Sequence, residues 1–119
     1  MNNREKQAVR LERKRRRIDA GLVASLFPEV ESIIINMVYS QKEIMQSLPR
    51  TVNFFPTSSA LFRVDCLSKD CIEGGFDFTG IINSMIGKRK IASSGELRCE
   101  GGPALDHSAI AYEVAIHYA

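Results

Sequence analysis

The side chains with the most specific chemistry in this sequence are three cysteines and a histidine that follows the third. Cys66 and Cys71 have four residues between them, and Cys99 comes 28 positions after Cys71. His107 comes eight positions after Cys99. Thiolates and neutral imidazole are preferred ligands of Zn²⁺, and structural sites hold the ion tetrahedrally with four such groups. The spacing, with two ligands on each of two turns, therefore predicts a structural zinc site.

Paired glycines follow both turns. Gly74 and Gly75 come shortly after the second cysteine, and Gly101 and Gly102 come shortly after the third. Glycine adopts positive φ angles at little cost, so the backbone can wrap an ion and direct its amides toward thiolate sulfur. This repeated arrangement supports the metal-site interpretation.

The fourth ligand is chosen between two neighbours, Asp106 and His107. Three thiolates and a neutral imidazole around a divalent ion have a net charge of −1, and a carboxylate in place of the imidazole makes it −2. Lys69 and Arg98 lie beside ligands and offset the smaller charge more easily. We therefore predict His107 as the ligand, with Asp106 as a hydrogen-bond partner of the ligands or as the alternative ligand.

Two other interpretations of the thiols remain open. In the first, the site binds no metal and the cysteines are part of the core, since cysteine is among the most buried residue types. A reactive thiol would instead pair Cys71 or Cys99 with His107, although no group that would orient the histidine is evident. The zinc-deaminase signature and a phosphate-binding glycine loop are both absent from the sequence. We therefore predict a protein that is not an enzyme, and no small-molecule substrate is indicated.

The first 17 residues are strongly basic. They carry eight basic and two acidic side chains, a net charge of +6, whereas the remainder carries eight and twelve. This asymmetry is typical of an arm that contacts a polyanion or an acidic partner, and Lys and Arg gain affinity for RNA or DNA through counterion release. No aromatic side chains are interleaved to stack on bases, so a protein-binding or merely solvated helix stays open. The candidate nucleic-acid-binding residues are Arg10, Arg13, Lys14, Arg15, Arg16 and Arg17.

Size and composition predict one soluble globular domain, since the 119 residues are 45% apolar and 25% charged. The run RKRRR precedes an apolar stretch, but Asp19 interrupts the junction and Pro28 ends the stretch, so we expect no secretion signal. No apolar run is long enough to span a membrane. We therefore predict a cytoplasmic protein whose three cysteines do not form a disulfide framework.

Apolar periodicity divides the chain into a helical leader, residues 1–28, and a zinc-binding domain, residues 29–119, within one folding unit. Residues 4–27 are predicted to form an amphipathic helix that ends before Pro28 and docks through residues 18–27. Arg15 interrupts its apolar stripe, so we expect the first half to be solvated or to face nucleic acid. The stripe consists of Ala8, Leu11, Ile18, Leu22 and Leu26.

The domain shows strand-like alternation with one helical segment, residues 79–90, for which Asp77 or Thr79 is the candidate cap. This order of elements predicts an α+β fold, with a mainly antiparallel sheet of about five strands, one packed helix, a basic N-terminal helix and a zinc-ribbon-like metal site. The predicted strands are residues 31–40, 50–55, 59–66, 93–99 and 109–119.

The segments CLSKDCIEGGFDFT, SSGELRCEGG and AYEVAIHY resemble a group of small uncharacterised bacterial proteins with a zinc-ribbon-like cysteine pattern. The resemblance covers about residues 50–119, and its most specific part is the Gly-Gly-Phe-Asp-Phe-Thr run after the second cysteine. It implies the fold and the zinc site but no activity. In that group, a further cysteine usually stands where this chain has Asp106 and His107.

The function predicted from the sequence is a non-catalytic zinc-binding module that contacts nucleic acid or the ribosome through its basic helix. The alternative is a protein–protein interaction or assembly module, including a homo-oligomer, with a structural zinc. A small zinc or thiol enzyme is the third possibility.

Overall fold

The structure, a computed structural model, describes residues 3–41, 44–65, 75–99 and 109–119. The helices are α1 (Asn3–Asp19), α2 (Val23–Leu26) and α3 (Thr79–Gly87). The strands are β1 (Val30–Gln41), β2 (Ile44–Phe54), β3 (Arg63–Val64), β4 (Phe76–Asp77), β5 (Ala92–Arg98) and β6 (Ala109–Tyr118). An antiparallel sheet has the order β2-β1-β6-β5, and β3 pairs with β4 in a second, smaller sheet. The predicted α+β class with a mainly antiparallel sheet is confirmed, although the main sheet has four strands where about five were expected.

Strands β1 and β6 lie at the centre of the sheet and supply most of its apolar side. The inward residues of β1 are Ile33, Ile35, Met37 and Tyr39, all buried. Their cross-strand partners on β6 are Ile116, Val114, Tyr112 and Ile110. Because paired residues face the same way, the two alternations combine into one apolar surface. The faces predicted for both strands are confirmed.

Helix α3 covers this surface. Its side chains Ile82, Met85 and Ile86 are buried within the same core as the inward residues of the sheet. Just before the helix, Asp77 Oδ1 accepts a hydrogen bond from the backbone N–H of Thr79 at 2.9 Å. The N-cap residue is Phe78, which makes no side-chain cap hydrogen bond, so neither candidate cap occupies that position. The predicted packed helix is confirmed, although it ends at Gly87 and not at residue 90.

The strand predicted at residues 59–66 is largely wrong. In the described part of this segment, only Arg63–Val64 is a strand, and it pairs with β4 instead of joining the main sheet. Phe62 and Val64 are nevertheless buried, as the alternation predicted. The Phe62 ring packs edge-on against Phe54, with centroids 5.1 Å apart. Apolar alternation therefore predicted correctly which side chains are buried. It did not predict which residues pair as a strand, because pairing requires a partner strand from another part of the chain.

Strand β2 is longer than the predicted residues 50–55 and contains a proline. Pro49 is paired with Val38 of β1. A proline has no N–H to donate, so it is confined to edge strands, where one side of the backbone faces no neighbour. Strand β2 is an edge of the sheet, which explains why the strand continues through Pro49.

The single helix predicted at residues 4–27 is wrong, because the chain forms α1 and the short α2. Gly21 separates them with a φ of 77°, and its N–H donates to the carbonyl oxygen of Ile18 at 3.2 Å. This left-handed glycine ends α1 in the way that glycine commonly ends helices. Helix α2 then stops before Phe27 and Pro28, as predicted.

The leader docks within residues 18–27 and is exposed before them, as predicted, but the predicted apolar stripe is not what docks. Helix α1 has no buried residue. Leu11 is 68% exposed and Ile18 is 71% exposed, and Leu22 and Leu26 are also exposed. The leader is instead attached by Val23, which is fully buried, and by backbone hydrogen bonds from residues 21–24 to residues 56–60. The spacing therefore located the docking segment, but its buried anchor, Val23, is not a member of the predicted stripe.

We expect Gly95→Ala to destabilise the fold by about 1–3 kcal/mol, because the added methyl group overpacks the core side of the sheet. A Cβ at Gly95 would lie 2.8 Å from Tyr112 Oη and 3.1 Å from Cζ. The Tyr112 ring is held edge-on against Phe78, with centroids 5.2 Å apart, so it cannot move without losing that contact. Urea unfolding followed by circular dichroism measures the change. Ser94→Ala, on the exposed side of the same strand, is the control and should lie within about 0.5 kcal/mol of the unsubstituted chain. Equal stability of the Gly95 variant would contradict the argument.

Candidate metal site and basic helix

Two of the predicted zinc ligands belong to the connection between β3 and β4. Val64 is paired with Phe76, so the chain leaves β3 and re-enters β4 at adjacent positions. Cys66 and Cys71 lie between these positions, outside the described residues. The end of β3 is anchored on the main sheet, since Tyr39 Oη donates a hydrogen bond to the carbonyl oxygen of Asp65 at 3.2 Å.

The third predicted ligand, Cys99, contacts the other end of that connection. The backbone N–H of Gly75 donates a hydrogen bond to Cys99 Sγ, with a nitrogen–sulfur distance of 3.2 Å. Cys99 is half-buried and packs against the edge of the core. The structure therefore brings the thiol of one predicted ligand turn to the backbone of the other.

The fourth predicted ligand lies in the connection between β5 and β6. Arg98 is paired with Ala109, so this connection also begins and ends at adjacent positions. Its residues Asp106 and His107 lie outside the described residues. Ile110, the next residue of β6, is paired with Tyr39, whose hydroxyl binds the end of β3. Both connections therefore start from the same end of the sheet.

Gly75 is required for this arrangement. Its φ is 140°, a value that side-chain-bearing residues rarely adopt, and a Cβ there would lie 2.6 Å from the carbonyl oxygen of Val64. The close approach to β3 is what places the Gly75 N–H against Cys99. Of the glycines in the two predicted pairs, Gly75 is the one within the described residues, and its conformation agrees with the role predicted for it.

The chemistry of Cys99 fits a metal-bound thiolate. A backbone N–H directed at sulfur stabilises negative charge on it, as outer hydrogen bonds do around metal-bound ligands. Three cysteines and a histidine would form a donor set suited to zinc. Within residues 3–41, 44–65, 75–99 and 109–119, no three Cys, His, Asp or Glu side chains lie together as a metal-holding group. The remaining candidate ligands belong to the two connections beyond those ranges.

The six predicted nucleic-acid-binding residues of α1 comprise five exposed residues and one that is anchored to the body of the protein. Arg10, Lys14, Arg15, Arg16 and Arg17 are exposed. Arg13 Nη1 lies 3.3 Å from Asp65 Oδ1, with the arginine side chain 25% exposed. Of the six predicted nucleic-acid-binding residues, Arg13 therefore also serves to attach the helix to the body of the protein.

The other anchor of α1 is at its C-terminal end, where Ser59 Oγ donates to the carbonyl oxygen of Arg17 at 2.7 Å. Weak ion pairs on the helix surface join Arg15 to Asp19 and Arg16 to Glu12, at 3.7 and 3.6 Å. Exposed pairs at this spacing contribute a few tenths of a kcal/mol, so both arginines remain available to another ligand.

Sequence patterns did not identify Tyr39, Asp65 or the Arg13–Asp65 contact. Tyr39 lies in β1, Arg13 lies in α1 and Asp65 directly follows β3, and their contacts join residues 26 or 52 positions apart. The available signal was the alternation of residues 59–66, which placed Asp65 on the outward side but did not mark it as an anchor.

The comparisons with known proteins identify no relative: no family model matches this chain, and no curated protein or solved structure is significantly similar to it. The resemblance to the zinc-ribbon-like group therefore stays a prediction. No helix in the described part of the chain is long and apolar enough to cross a membrane.

Proposed function

We propose that this chain is a non-catalytic nucleic-acid-binding module, in which α1 contacts phosphates and a structural zinc ion holds the two cysteine-bearing connections together. The observation that carries the proposal is the exposure of α1, which has no buried residue and five exposed basic side chains among its last ten positions. A helix committed to the core would instead bury one side. Such an exposed basic surface is the electrostatic footprint of polyanion binding.

The residues best placed to contact phosphates are Arg10, Lys14 and Arg17. They are spaced by four and three positions, so they share one side of α1. Each phosphate that they neutralise releases condensed counterions, which gives affinity without sequence preference. The attachments at Arg13 and Arg17 hold the helix against the body, so this side is presented in a fixed orientation.

The zinc ion would act as a staple rather than as a catalyst. The Gly75–Cys99 hydrogen bond and the shared end of the sheet support its placement there. A metal held by both connections would order them against β3 and β5, and a small domain gains stability from such a staple. In this proposal His107 is the fourth ligand, and Asp106 is its hydrogen-bond partner or its substitute.

We expect the protein to bind single-stranded RNA with an affinity that falls steeply as salt concentration rises. Arg10→Ala/Arg17→Ala should reduce the slope of log affinity against log salt by about 1.4, because two phosphate contacts are lost. Fluorescence anisotropy of a labelled RNA of mixed sequence measures both quantities, and a duplex DNA of the same length tests whether the polyanion must be RNA.

The matched control is Lys88→Ala/Lys90→Ala, which removes the same charge from exposed residues after α3. Equal losses in the two double variants would mean that net charge, not α1, determines binding. Absence of binding at low salt would reject the nucleic-acid proposal outright.

A second candidate function, an assembly module, is favoured by a separate observation. Leu11 and Ile18 are the most exposed large apolar side chains of the described leader, at 68% and 71%. An exposed apolar stripe on a charged helix suits a protein partner, because burying it contributes about 25 cal/mol for each Å² removed from water.

A further inference from the structure

The side of the main sheet opposite α3 is open. Its outward residues on β1 and β6 alternate with the buried ones and are Ile34, Asn36, Val38, Ala111, Glu113 and Ala115. Val38 is 42% exposed, and Asn36, Ala111 and Glu113 are exposed as well. No described helix packs on this side. An antiparallel sheet can have one face in water, but on β6 this face has alanines at positions 111 and 115, which leave room for a close partner.

The open side forms a shallow trough that crosses all four strands. Its volume is about 590 Å³, and its walls include Pro49 and Thr51 on β2 and Ser94 and Glu96 on β5. The floor at Ala111 lies between them. Three spacings of about 4.8 Å make the sheet roughly 14 Å across, so an α-helix about 10 Å in diameter fits on this side when its axis runs along the strands.

The trough is acidic at the β5–β6 side. Ser94 is paired with Glu113 and Glu96 with Ala111, so the two carboxylates are diagonal neighbours on one face. Such neighbours lie about 7–8 Å apart. Neither has an ion-pair partner among the residues that the structure describes, since the ion pairs there join other groups. Two adjacent carboxylates on an open face favour a basic ligand.

Helix α1 has the complementary surface. Leu11 and Ile18 are seven positions apart, so they form one apolar ridge on the side of the helix that faces water. Lys14 and Arg15 stand on either side of the line between them. The ridge would contact the small residues of the trough while the flanking cations meet the carboxylates.

We propose that a second copy of this chain occupies the trough with its α1, and that two copies do so reciprocally. The contact is Leu11 and Ile18 of one copy on Ala111 and Val38 of the other, with Lys14 and Arg15 against Glu96 and Glu113. Arg10 and Arg17 lie off the ridge, so the dimer leaves these two proposed phosphate contacts exposed and takes up only the third, Lys14.

The interface area explains why each copy must place its α1 in the trough of the other. A helix of 17 residues is about 25 Å long and 10 Å wide, so it covers about 250 Å² of each partner. A one-way contact would remove about 500 Å² in total, which is too small for a stable complex. Two reciprocal contacts remove about 1,000 Å², which is the lower limit for a specific interface.

The test is the mass of the protein in solution, measured by sedimentation at several concentrations without nucleic acid. We expect a dimer that dissociates on dilution and weakens as salt rises. Glu96→Lys/Glu113→Lys should raise the dissociation constant about a hundredfold, since each reversed charge contact costs about a factor of ten. Lys14→Glu/Arg15→Glu should have the same effect, and combining the four substitutions should restore the dimer.

The control is Lys88→Glu/Lys90→Glu, which makes the same change in net charge as Lys14→Glu/Arg15→Glu on exposed residues that belong to neither proposed surface. Leu11→Asn/Ile18→Asn tests the ridge without changing charge. Circular dichroism verifies that each variant is folded, which is expected because all substituted side chains are exposed. A monomer at every concentration would overturn the proposal and leave the trough to a basic helix of another protein. A dimer that survives the sheet-side reversal, or a fourfold variant that stays monomeric, would overturn it equally.

Discussion

Replacing Gly75 with alanine is expected to lower the free energy of unfolding by about 4 kcal/mol, a large fraction of the stability of a domain of this size. About half arises because a φ of 140° is strained for any residue with a side chain. The other half is steric, because the new Cβ would lie 2.6 Å from the backbone oxygen of Val64, which cannot rotate away. Denaturant unfolding followed by circular dichroism measures the loss.

Gly80→Ala is the matched control for this prediction. Gly80 lies in the first turn of α3, and a Cβ there meets nothing within 4 Å. Alanine is the better helix former, so this variant should be more stable by about 0.5–1 kcal/mol. If alanine lowers the stability at Gly75 and raises it at Gly80, the cause is the local backbone geometry and not the substitution itself. A Gly75 variant as stable as the unsubstituted chain would show that β3 and β4 do not approach as closely as described.

Removal of zinc is the second change with a large expected effect. We expect the protein to contain one zinc ion per chain by elemental analysis. A strong chelator should then destabilise it by about 4 kcal/mol relative to the protein with zinc at about a thousand times its dissociation constant. The physical reason is that binding free energy is added to the folded state alone when the unfolded chain cannot hold the ligands together.

Cys99→Ser separates a metal ligand from a core thiol. If Cys99 binds zinc, the variant loses stability in the presence of zinc, and the difference from the unsubstituted chain shrinks to the cost of a small core change when a chelator is present. If Cys99 is only a packed residue, the difference is the same under both conditions. Unfolding curves of both proteins, each with and without chelator, form a thermodynamic cycle that gives the coupling between the Cys99 side chain and zinc.

The fourth ligand can be tested with the two histidines of the chain, His107 as the candidate and His117 as the control. His107→Asn should abolish or strongly weaken zinc binding. His117→Asn should leave it unchanged, because His117 is exposed on the open side of β6. Retention of zinc in the His107 variant but not in Asp106→Asn would transfer the role to the carboxylate. Protein purified without zinc, and stable to the chelator, would reject the metal site.

Short-range patterns correctly predicted those strands and helices in which the apolar period of the sequence matches the side that packs in the core. Alternation in β1 and β6 places Ile35 and Val114 inward, and the structure buries both. The helical spacing after Asp77 likewise predicted α3 and its buried side. In these elements most of the large apolar residues lie on one face, so a single period determines which side enters the core.

The leader shows where such patterns fail. The spacing of Leu11 and Ile18 specifies an amphipathic helix, but it contains no information about which surface covers the apolar ridge. In the structure, α1 is attached instead through Arg13 and the carbonyl oxygen of Arg17, whose partners Asp65 and Ser59 lie 52 and 42 positions away. Contacts of that kind depend on how distant segments are brought together.

The sequence by itself determined the spacing of the candidate metal ligands, the basic leader, and the inward faces of β1, β6 and α3, because these follow from residue type and a local period. The tertiary structure alone decided that β1 and β6 are neighbours, that Gly75 meets Cys99, and that Glu96 and Glu113 share an open face. The physical reason is that strand order and register bring together residues far apart in the chain, and no local pattern specifies which strand pairs with which.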